Sequence, residues 1–358
     1  MMASTTLANS SESNVSNEQE GKFQNSEINY QSSLSSVWKI AKAYWQTDRA
    51  APTPTKTIPL KQLTKEKLLS EKHDALYRLG HSTLLLKLAS DFILIDPVFS
   101  ERASPVQWAG PKRFHQPPIS IAELPNVKAV IISHDHYDHY DHLDKASILA
   151  LADKVEQFVT PLKVGNYLRE WGIADDKITE LDWWQSKQLS ELTITATPAQ
   201  HFSGRGLFDK DETLWASWVI EHKETKLFYS GDGGYISGFK EIGERYGPFN
   251  FTMIETGAYN ALWREIHMTP EESLQAHLDV KGEFMIPVHN GTFDLALHDW
   301  FEPFERIAAL AKQQGVSLLT PTFGEAVSLA QPIATKLWWR EVMSTETEEL
   351  SNLVTKVQ

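Results

Sequence analysis

The stretch IISHDHYDHYDHLD, residues 131–144, places four histidines and four aspartates within fourteen positions. The apolar run AVIIS at residues 129–133 predicts a short buried strand directly before the first histidine. His134 and His136 are two residues apart, so on extended backbone their rings point to the same side of the chain. The stretch therefore predicts a pair of imidazoles at the end of a strand.

The segment LDKASILALA, residues 143–152, predicts a helix, so the chain must turn between the strand and this helix. A tight turn would bring Asp138 and His139 toward the same cavity as the two earlier histidines. Only residues 134–139 fit the spacing His-x-His-x-Asp-His. Because imidazole and carboxylate groups are common metal ligands, this cluster predicts a site for one metal ion or a shared site for two. A polar surface loop is the alternative interpretation.

Four polar residues of the stretch remain outside that pattern. We expect Asp141 or Asp144 to cap the following helix by accepting hydrogen bonds from its first free N–H groups. His142 is expected on the exposed side of the turn. Asp135 is likewise expected to be a capping or solvent-exposed residue.

The composition argues against several classes of protein. The 358 residues include 34 basic and 47 acidic side chains, a net charge of −13, so a nucleic-acid partner is not expected. Cysteine is absent, which excludes disulfides and thiolate ligands. No apolar run approaches the ~20 residues needed to span a bilayer, and the first thirty residues lack the apolar core of a secretory signal. We therefore expect a soluble, cytoplasmic protein, with peripheral binding at the inner membrane as a further expectation.

The segments that flank the main domain differ from it in composition. Residues 1–33 are rich in Ser, Asn and Glu and predict a disordered tail. Residues 34–69 contain the helical pattern LSSVWKIAKAYWQ, which has one aromatic face, and the proline-spaced linker APTPTKTIP. This helix is expected either to dock on the domain or to lie in a membrane interface. The main domain is predicted at 70–330 and a C-terminal extension at 331–358.

Short apolar runs and helical patterns recur along the main domain. The runs that predict strands are ALYRL, LLLKL, FILID, AVIIS, LTITAT, ASWVIEH, KLFYS, FTMIE and FMIPV. Helical patterns occur around 143–153, 163–171, 270–279 and 302–314. Strands followed by helices in two rounds predict sheets covered by helices, an α/β layered architecture.

The ends of three later runs offer further metal ligands. His201 follows LTITATPAQ, Asp232 follows KLFYS in the turn SGDGGY, and His289 follows FMIPV. Such positions suit ligands because a rigid sheet edge holds a side chain without loss of entropy. Taken singly, each residue is more simply a structural one. Together with the cluster at 134–139, they predict one metal site.

The complete set resembles the metallo-β-lactamase-fold hydrolases, which bind two metal ions through five segments in this chain order. Over about residues 75–325, the sequence resembles the bacterial branch of the N-acyl-phosphatidylethanolamine-hydrolysing phospholipase D family. The most selective motifs are DPVFSERASPVQWAGPKRF and ELDWW, supported by GHSTLLLKL, PAQHFSGR, LWASWVI, ETGAYN and HMTPEESLQAHLDV. This resemblance implies a metallo-β-lactamase-type αββα four-layer sandwich.

The same resemblance implies a site for two Zn²⁺ ions, although imidazole and carboxylate groups also accept other divalent metals. The implied ligands are His134, His136 and His201 for one ion and Asp138, His139 and His289 for the other, with Asp232 bridging both.

The activity implied by the resemblance is that of a phospholipase D-type phosphodiesterase. N-acyl-phosphatidylethanolamine would be hydrolysed to N-acylethanolamine and phosphatidic acid by a hydroxide that bridges two metal ions about 3.5–4 Å apart. No protein nucleophile is then required. A phospholipid substrate makes peripheral membrane contact an expectation, and the sequence carries no signal for oligomeric state.

Asp138 and His267 are the candidates for direct roles in catalysis. His267 precedes TPEE, in which Thr269 predicts a helix N-cap, Pro270 the first helical position and Glu272 a capping box. By the resemblance, a histidine of this segment lies at the mouth of the active site, where it could contact phosphate or protonate the leaving alkoxide. A supporting or surface histidine is the alternative.

Other polar residues have more than one interpretation or none. Asp96 closes the run FILI before Pro97, so its carboxylate either accepts the spare N–H of a metal-binding histidine or starts an Asp-Pro turn. His81 either supports a metal-binding histidine in the same way or is a core histidine, and we expect the second. No role is assigned to His73, His115, His222, His277 and His298.

Two other functions remain open from the sequence. The first is a lactonase or esterase of the same fold, which would attack an ester carbonyl instead of phosphorus. The second is a non-catalytic, metal-dependent membrane-binding protein. The complete ligand set argues against the second, because a degenerate site would be expected to have lost ligands.

Overall fold

The computed structural model describes residues 17–29, 34–136, 142–206 and 208–343. The helices in these ranges are α1 (Leu34–Gln46), α2 (Lys65–Ser70), α3 (Lys145–Leu151), α4 (Gly165–Glu170), α5 (Gly238–Arg245), α6 (Pro270–Asp279), α7 (Glu302–Gln314) and α8 (Trp339–Val342). The strands are β1 (Asn17–Gln19), β2 (Lys22–Gln24), β3 (Ala75–Arg78), β4 (Leu84–Leu88), β5 (Asp91–Ile95), β6 (Val127–Ile131), β7 (Val155–Pro161), β8 (Ile178–Leu181), β9 (Ser186–Leu189), β10 (Leu192–Thr197), β11 (Ser217–His222), β12 (Thr225–Tyr229), β13 (Phe249–Glu255), β14 (Gly282–Val288), β15 (Ser317–Leu318) and β16 (Ala326–Ser328).

Two seven-stranded sheets form the centre of the fold. Their strand orders are β16-β3-β4-β5-β6-β7-β8 and β15-β14-β13-β12-β11-β10-β9. In the first sheet β5, β6 and β7 are parallel, and in the second β12, β13 and β14 are parallel. The carboxyl ends of parallel strands meet at one edge of a sheet, which is where ligand sites form in open α/β sheets. This arrangement brings the loops after β6, β12, β13 and β14 toward one region.

The apolar core has three parts: one between the two sheets and one between each sheet and its covering helices. Alternate residues of β4 face opposite ways: Leu84 and Leu86 pack between the sheets, whereas Leu85 packs on the helical side. The outer face of the first sheet is covered by α3 and α4, and that of the second by α5, α6 and α7. All five residues of β4 are buried, as expected for a strand covered on both faces. The αββα four-layer sandwich is therefore confirmed.

The predicted elements of the domain are present. The four helical patterns correspond to α3, α4, α6 and α7, and the nine apolar runs to β3–β6 and β10–β14. α6 begins as the sequence predicts: the side chain of Thr269 accepts a hydrogen bond from the Glu272 N–H, and the Glu272 carboxylate accepts one from the Thr269 N–H. α7 ends at Gly315, whose φ of 69° lies in the left-handed region that favours glycine.

Part of the expected disordered tail is ordered, so the prediction for residues 1–33 is wrong over 17–29. β1 and β2 pair as an antiparallel hairpin, and Phe23 of β2 is buried in the core between the sheets. Burial of this aromatic side chain offsets the entropy of ordering a segment that is otherwise polar. Residues 1–16 and 30–33 lie outside the described residues.

The predicted start of the domain near residue 70 is also too late. Ile58 of the expected linker is buried, and the Lys61 N–H donates a hydrogen bond to the carbonyl of Phe323. In the predicted C-terminal extension, Trp338 and Trp339 are buried in the same apolar cluster as Ile58. Sequence composition did not reveal the segment around Ile58 because its cluster includes Trp300 and Trp338, which lie more than two hundred residues away along the chain.

No helix within the described ranges combines the length and the apolar character that crossing a bilayer requires.

Candidate metal centre

The structure brings five of the seven predicted metal ligands together. Each follows a strand, and each is at most 4 % exposed; they are His134 and His136 after β6, His201 after β10, Asp232 after β12 and His289 after β14. The other two, Asp138 and His139, lie outside the described residues.

Three of these histidines form a set whose nitrogens face one another. His136 Nδ1 lies 3.3 Å from His134 Nε2 and 3.2 Å from His201 Nε2. A tetrahedral zinc ion with nitrogens at about 2.0–2.1 Å holds those nitrogens about 3.3 Å apart. Burial lowers the pKa of His134 and of His201 well below the ordinary value, so both imidazoles are neutral, which is the form that binds metal. The spacing of this set and the neutral form of His134 and His201 fit a metal ion.

Asp96 supports His134 through an intervening serine. The backbone N–H and the hydroxyl of Ser133 each donate to the Asp96 carboxylate at 2.7 Å, and Ser133 Oγ lies 2.9 Å from His134 Nδ1. The Tyr229 hydroxyl also donates to Asp96, at 2.6 Å. Asp96 thus orients the predicted ligand His134 through Ser133. The sequence predicted either a direct contact with a histidine or an Asp-Pro turn, and it did not predict the intervening serine.

His201 is held by a residue that the sequence did not indicate. The side chain of Asn25 donates to the His201 carbonyl at 2.7 Å and accepts from the His201 N–H at 3.0 Å. His201 Nδ1 lies 3.2 Å from the carbonyl of Ile266, so Nδ1 carries the proton and Nε2 presents its lone pair to the cluster. The N-terminal hairpin segment therefore contributes to the geometry of the site.

His267 lies between two buried carboxylates. Its Nδ1 is 2.9 Å from Asp232 Oδ1 and 3.4 Å from Glu255 Oε1. Burial alone lowers the pKa of His267, but the two carboxylates outweigh burial and raise this pKa to about 10. Glu255 is the last residue of β13, so the same strand-end rule that identified Asp232 could have identified it. A nitrogen of His267 and carboxylate oxygens of Asp232 and Glu255 lie within 4.8 Å of one another.

Two expectations for the leftover residues of the stretch are wrong. His142 is fully buried, and its Nε2 lies 2.9 Å from His289 Nε2, so it belongs to the cluster and not to the exposed side of a turn. Asp135 is also buried, where it accepts hydrogen bonds from the Gly204 N–H and the Thr213 hydroxyl. The expectation for Asp144 is confirmed: it caps α3 by accepting a hydrogen bond from the N–H of residue 146.

A pocket adjoins the cluster beside His289. His81 lines this pocket, its ring lies 5.4 Å from the ring of His289, and its carbonyl accepts the His289 N–H at 3.0 Å. His81 is buried as predicted, but it borders the site. Apolar lining comes from Phe293, Leu295 and Trp300.

The fold and the histidine-rich site define the class of the protein. Residues 92–290 match the family model of the beta-lactamase superfamily domain. A solved structure of a metallo hydrolase from the archaeon Ignicoccus hospitalis superposes with a TM-score of 0.54 at 19% identity, covering 74% of this chain and 99% of that one. The chain is a metallo-β-lactamase-fold hydrolase, as predicted.

Two relatives narrow this class. An uncharacterized protein of Mycobacterium tuberculosis is 43% identical over 307 residues, which are 85% of this chain and 80% of that protein. The N-acyl-phosphatidylethanolamine-hydrolyzing phospholipase D 1 of Caenorhabditis elegans is 34% identical over 265 residues, 71% of this chain and 74% of that enzyme. This chain belongs to the N-acyl-phosphatidylethanolamine-hydrolysing phospholipase D family.

Proposed function

We propose that this protein is a metal-dependent phosphodiesterase that hydrolyses N-acyl-phosphatidylethanolamine to N-acylethanolamine and phosphatidic acid. The observation that carries the proposal is the buried set of His134, His136 and His201, whose nitrogens have the mutual spacing of metal ligands, in a chain of this family. Zinc is the proposed metal, because neutral imidazoles and a carboxylate are its usual ligands in the absence of cysteine.

The bound metals would supply the water activation and the charge neutralisation that phosphodiester hydrolysis requires. His134, His136 and His201 would hold one ion, His289 would bind the second, and Asp232 would lie between them. Asp138 and His139 complete the ligand set predicted from the sequence.

The proposed role of His267 is to form a hydrogen bond with the reacting phosphodiester. Its Nδ1 faces Asp232 and Glu255, so Nε2 is the nitrogen that can reach a phosphoryl oxygen or the leaving alkoxide. Glu255 is itself fixed by the Met268 N–H, which donates to its carboxylate at 2.9 Å. These contacts would keep the ring in one orientation for proton transfer.

A phospholipid bilayer is the proposed partner, approached by the face that surrounds the site. An apolar cluster joins four segments there: Ile40 and Ala43 of α1, Phe202 after His201, Trp263 with Ile266 before His267, and Leu297. Phe202 lies against the rings of His136 and His201. These segments therefore connect α1 directly to the metal centre.

Three large apolar side chains that lie near these segments along the chain are exposed. Trp38 on α1 is 76% exposed, Phe208 is 89% exposed, and Leu262 is 41% exposed. Lys39 and Lys42 on α1 are exposed as well. Exposed aromatic and aliphatic side chains next to lysines suit insertion into an interface that carries anionic headgroups.

The test is turnover by the purified full-length chain with N-acyl-phosphatidylethanolamine in vesicles and, separately, with an acyl lactone. We expect phosphatidic acid and N-acylethanolamine as products, loss of turnover after treatment with a chelator, and recovery on addition of Zn²⁺. Lactone hydrolysis without lipid hydrolysis would favour the lactonase alternative. Stoichiometric zinc without turnover of either substrate would favour a metal-dependent binding protein.

A further inference from the structure

Arg78, the last residue of β3, is a fully buried cation. Its Nε and Nη1 atoms have no hydrogen-bond partner among the described residues. Aromatic rings surround the guanidinium group, whose carbon lies 5.7 Å from the ring centre of Phe304 and 4.7 Å from that of Phe323. A charge in such apolar surroundings destabilises the fold unless the hydrogen bonds that it forms compensate.

The remaining nitrogen, Nη2, binds the residue that follows His289. It donates to the main-chain carbonyl of Asn290 at 2.5 Å and to the side-chain oxygen of Asn290 at 2.6 Å. The side-chain nitrogen of Asn290 donates in turn to the carbonyls of Thr256, at 3.0 Å, and Val288, at 3.2 Å. Asn290 is therefore held from both sides, and an apolar side chain in place of Arg78 would remove one of these supports.

His289 itself has an unusual backbone conformation. Its φ of 61° lies in the left-handed region, which residues other than glycine rarely adopt. The loop after β13 passes directly beside it, because a Cβ atom at Gly257 would lie 1.6 Å from the His289 carbonyl. The His289 N–H donates to the His81 carbonyl at 3.0 Å. A strained conformation persists where neighbouring contacts determine it, and the hydrogen bonds from Arg78 act on the next residue of this turn.

The contact between Arg78 and Asn290 also joins the two sheets. Arg78 ends β3 of the first sheet, whereas His289 and Asn290 follow β14 of the second. His134 and His136 follow β6 of the first sheet. The position of His289 relative to these two histidines consequently depends on contacts between the sheets, and the planar guanidinium group provides a rigid one.

We propose that Arg78 is a positioning residue for the metal centre: by holding Asn290, it keeps His289 in the left-handed conformation in which its imidazole reaches the second metal ion. The inference rests on the proposed metal-dependent function and does not depend on the lipid substrate.

The first test compares the stepwise zinc affinities of the full-length wild type, Arg78→Met and Trp338→Phe. Trp338 packs in the same apolar cluster as Phe304 and Phe323, and its ring nitrogen has no hydrogen-bond partner in the described part of the chain. Trp338→Phe therefore alters packing beside Arg78 without removing a hydrogen bond to Asn290. Competition with a chromophoric chelator measures the zinc-binding steps, and urea unfolding of the metal-free proteins measures stability.

We expect Arg78→Met to weaken one of the two zinc-binding steps by roughly 10–100-fold and to retain the other, which His134, His136 and His201 provide. Trp338→Phe should lower stability and leave both steps unchanged. Equal effects on both steps in Arg78→Met, no effect on either, or the same selective loss in Trp338→Phe would overturn the inference. A single zinc-binding step in the wild type would also overturn it. A wild type that binds two ions but does not hydrolyse the lipid would contradict the proposed function alone.

The second test is a double-mutant cycle on the weakened step, with Asn290→Ala as the other single variant. If Arg78 acts through Asn290, its replacement should cost less zinc affinity in the Asn290→Ala background than in the wild type. Additive losses would overturn the inference. Circular dichroism checks folding, and Arg78→Gln, which also lacks Nη2, takes the place of a methionine variant that does not fold.

Discussion

A histidine binds metal only if a lone pair, and not a proton, faces the ion. In His201 the contact between Nδ1 and the Ile266 carbonyl fixes the proton away from the cluster. In His134 the equivalent nitrogen contacts Ser133, which is held in turn by Asp96. Both rings consequently turn Nε2 inward, so the hydrogen-bond partners behind these imidazoles determine whether the cluster can bind a cation.

Replacing Asp96 by Asn tests this support. The amide cannot accept both Ser133 donors and the Tyr229 hydroxyl as a carboxylate does, so the ring of His134 should lose its fixed orientation. We expect Asp96→Asn to weaken zinc affinity by roughly 10–100-fold. Competition with a chromophoric chelator measures this change, and Asp91→Asn at the start of the same strand is the matched control. Equal affinities in the two variants would contradict a supporting role for Asp96.

Replacing His267 by Gln tests the proposed role in catalysis. His267 contacts the Asp232 carboxylate but is not itself a predicted metal ligand. We therefore expect zinc content to be retained in His267→Gln while kcat falls by roughly 100-fold or more. Steady-state kinetics and metal analysis on the same preparation provide both values. The exposed His73 offers a control, and His73→Gln should leave kcat unchanged. Unaltered turnover in His267→Gln would end the assignment.

At the scale of elements, α1 combines residues packed on the domain with an exposed tryptophan. Ile40 and Ala43 pack in the apolar cluster, and Tyr44 stacks on Trp263 with ring centres 6.4 Å apart. Trp38 is exposed on the same helix. The sequence analysis treated docking on the domain and membrane contact as alternatives for α1. A helix that packs on the domain and still exposes a tryptophan can do both. Docking is therefore observed, whereas membrane contact stays a prediction.

Trp38→Ser separates the two roles of α1. Removing the exposed ring should weaken binding to anionic phospholipid vesicles several-fold while turnover of a soluble short-chain substrate stays unchanged. Vesicle sedimentation measures the binding, with the exposed Ile333→Ser as control. Deleting the first fifty residues would be less informative, because it also removes Asn25 from His201. Parallel loss of vesicle binding and soluble turnover in Trp38→Ser would contradict the separation.

The buried histidine of α6 predicts a pH dependence of stability. Burial lowers the pKa of His277 to about 4, and its Nδ1 lies 2.7 Å from the Thr252 hydroxyl. Between the ordinary pKa of about 6.5 and pH 4, the unfolded chain binds a proton here that the folded chain does not, so stability falls as pH is lowered. The resulting loss of free energy of unfolding reaches at most about 3 kcal/mol below pH 4. Urea unfolding across this range should show a shallower pH slope for His277→Asn than for the wild type, whereas an identical slope would contradict the assignment.

At the scale of the whole molecule, the features that the sequence revealed are those with a local signature. The proximity of His201, Asp232 and His289 was predictable because each follows an apolar run, and strands that run in the same direction bring such ends to one edge. The capping box at Thr269 was identified because its partners are three residues apart. Local spacing was therefore sufficient to predict the strands that precede the predicted metal ligands and most of the helices of the main domain.

The missed features depend on contacts that spacing does not encode. Asn25 is 176 residues from His201 along the chain and lies in a segment of polar composition. His142 was expected on the exposed side of a turn because it lies outside the spacing His-x-His-x-Asp-His, which residues 134–139 already satisfy. Glu255 carried the same strand-end signature as Asp232, and a consistent use of that rule would have found it.

Hydrolysis of N-acyl-phosphatidylethanolamine in heavy-oxygen water tests the central claim most directly. A phospholipase D-type reaction adds the water oxygen to phosphorus, so mass spectrometry should find the label in phosphatidic acid and none in N-acylethanolamine. Label in a released fatty acid would instead indicate attack on a carbonyl, and it would contradict the account of this site as a phosphodiesterase.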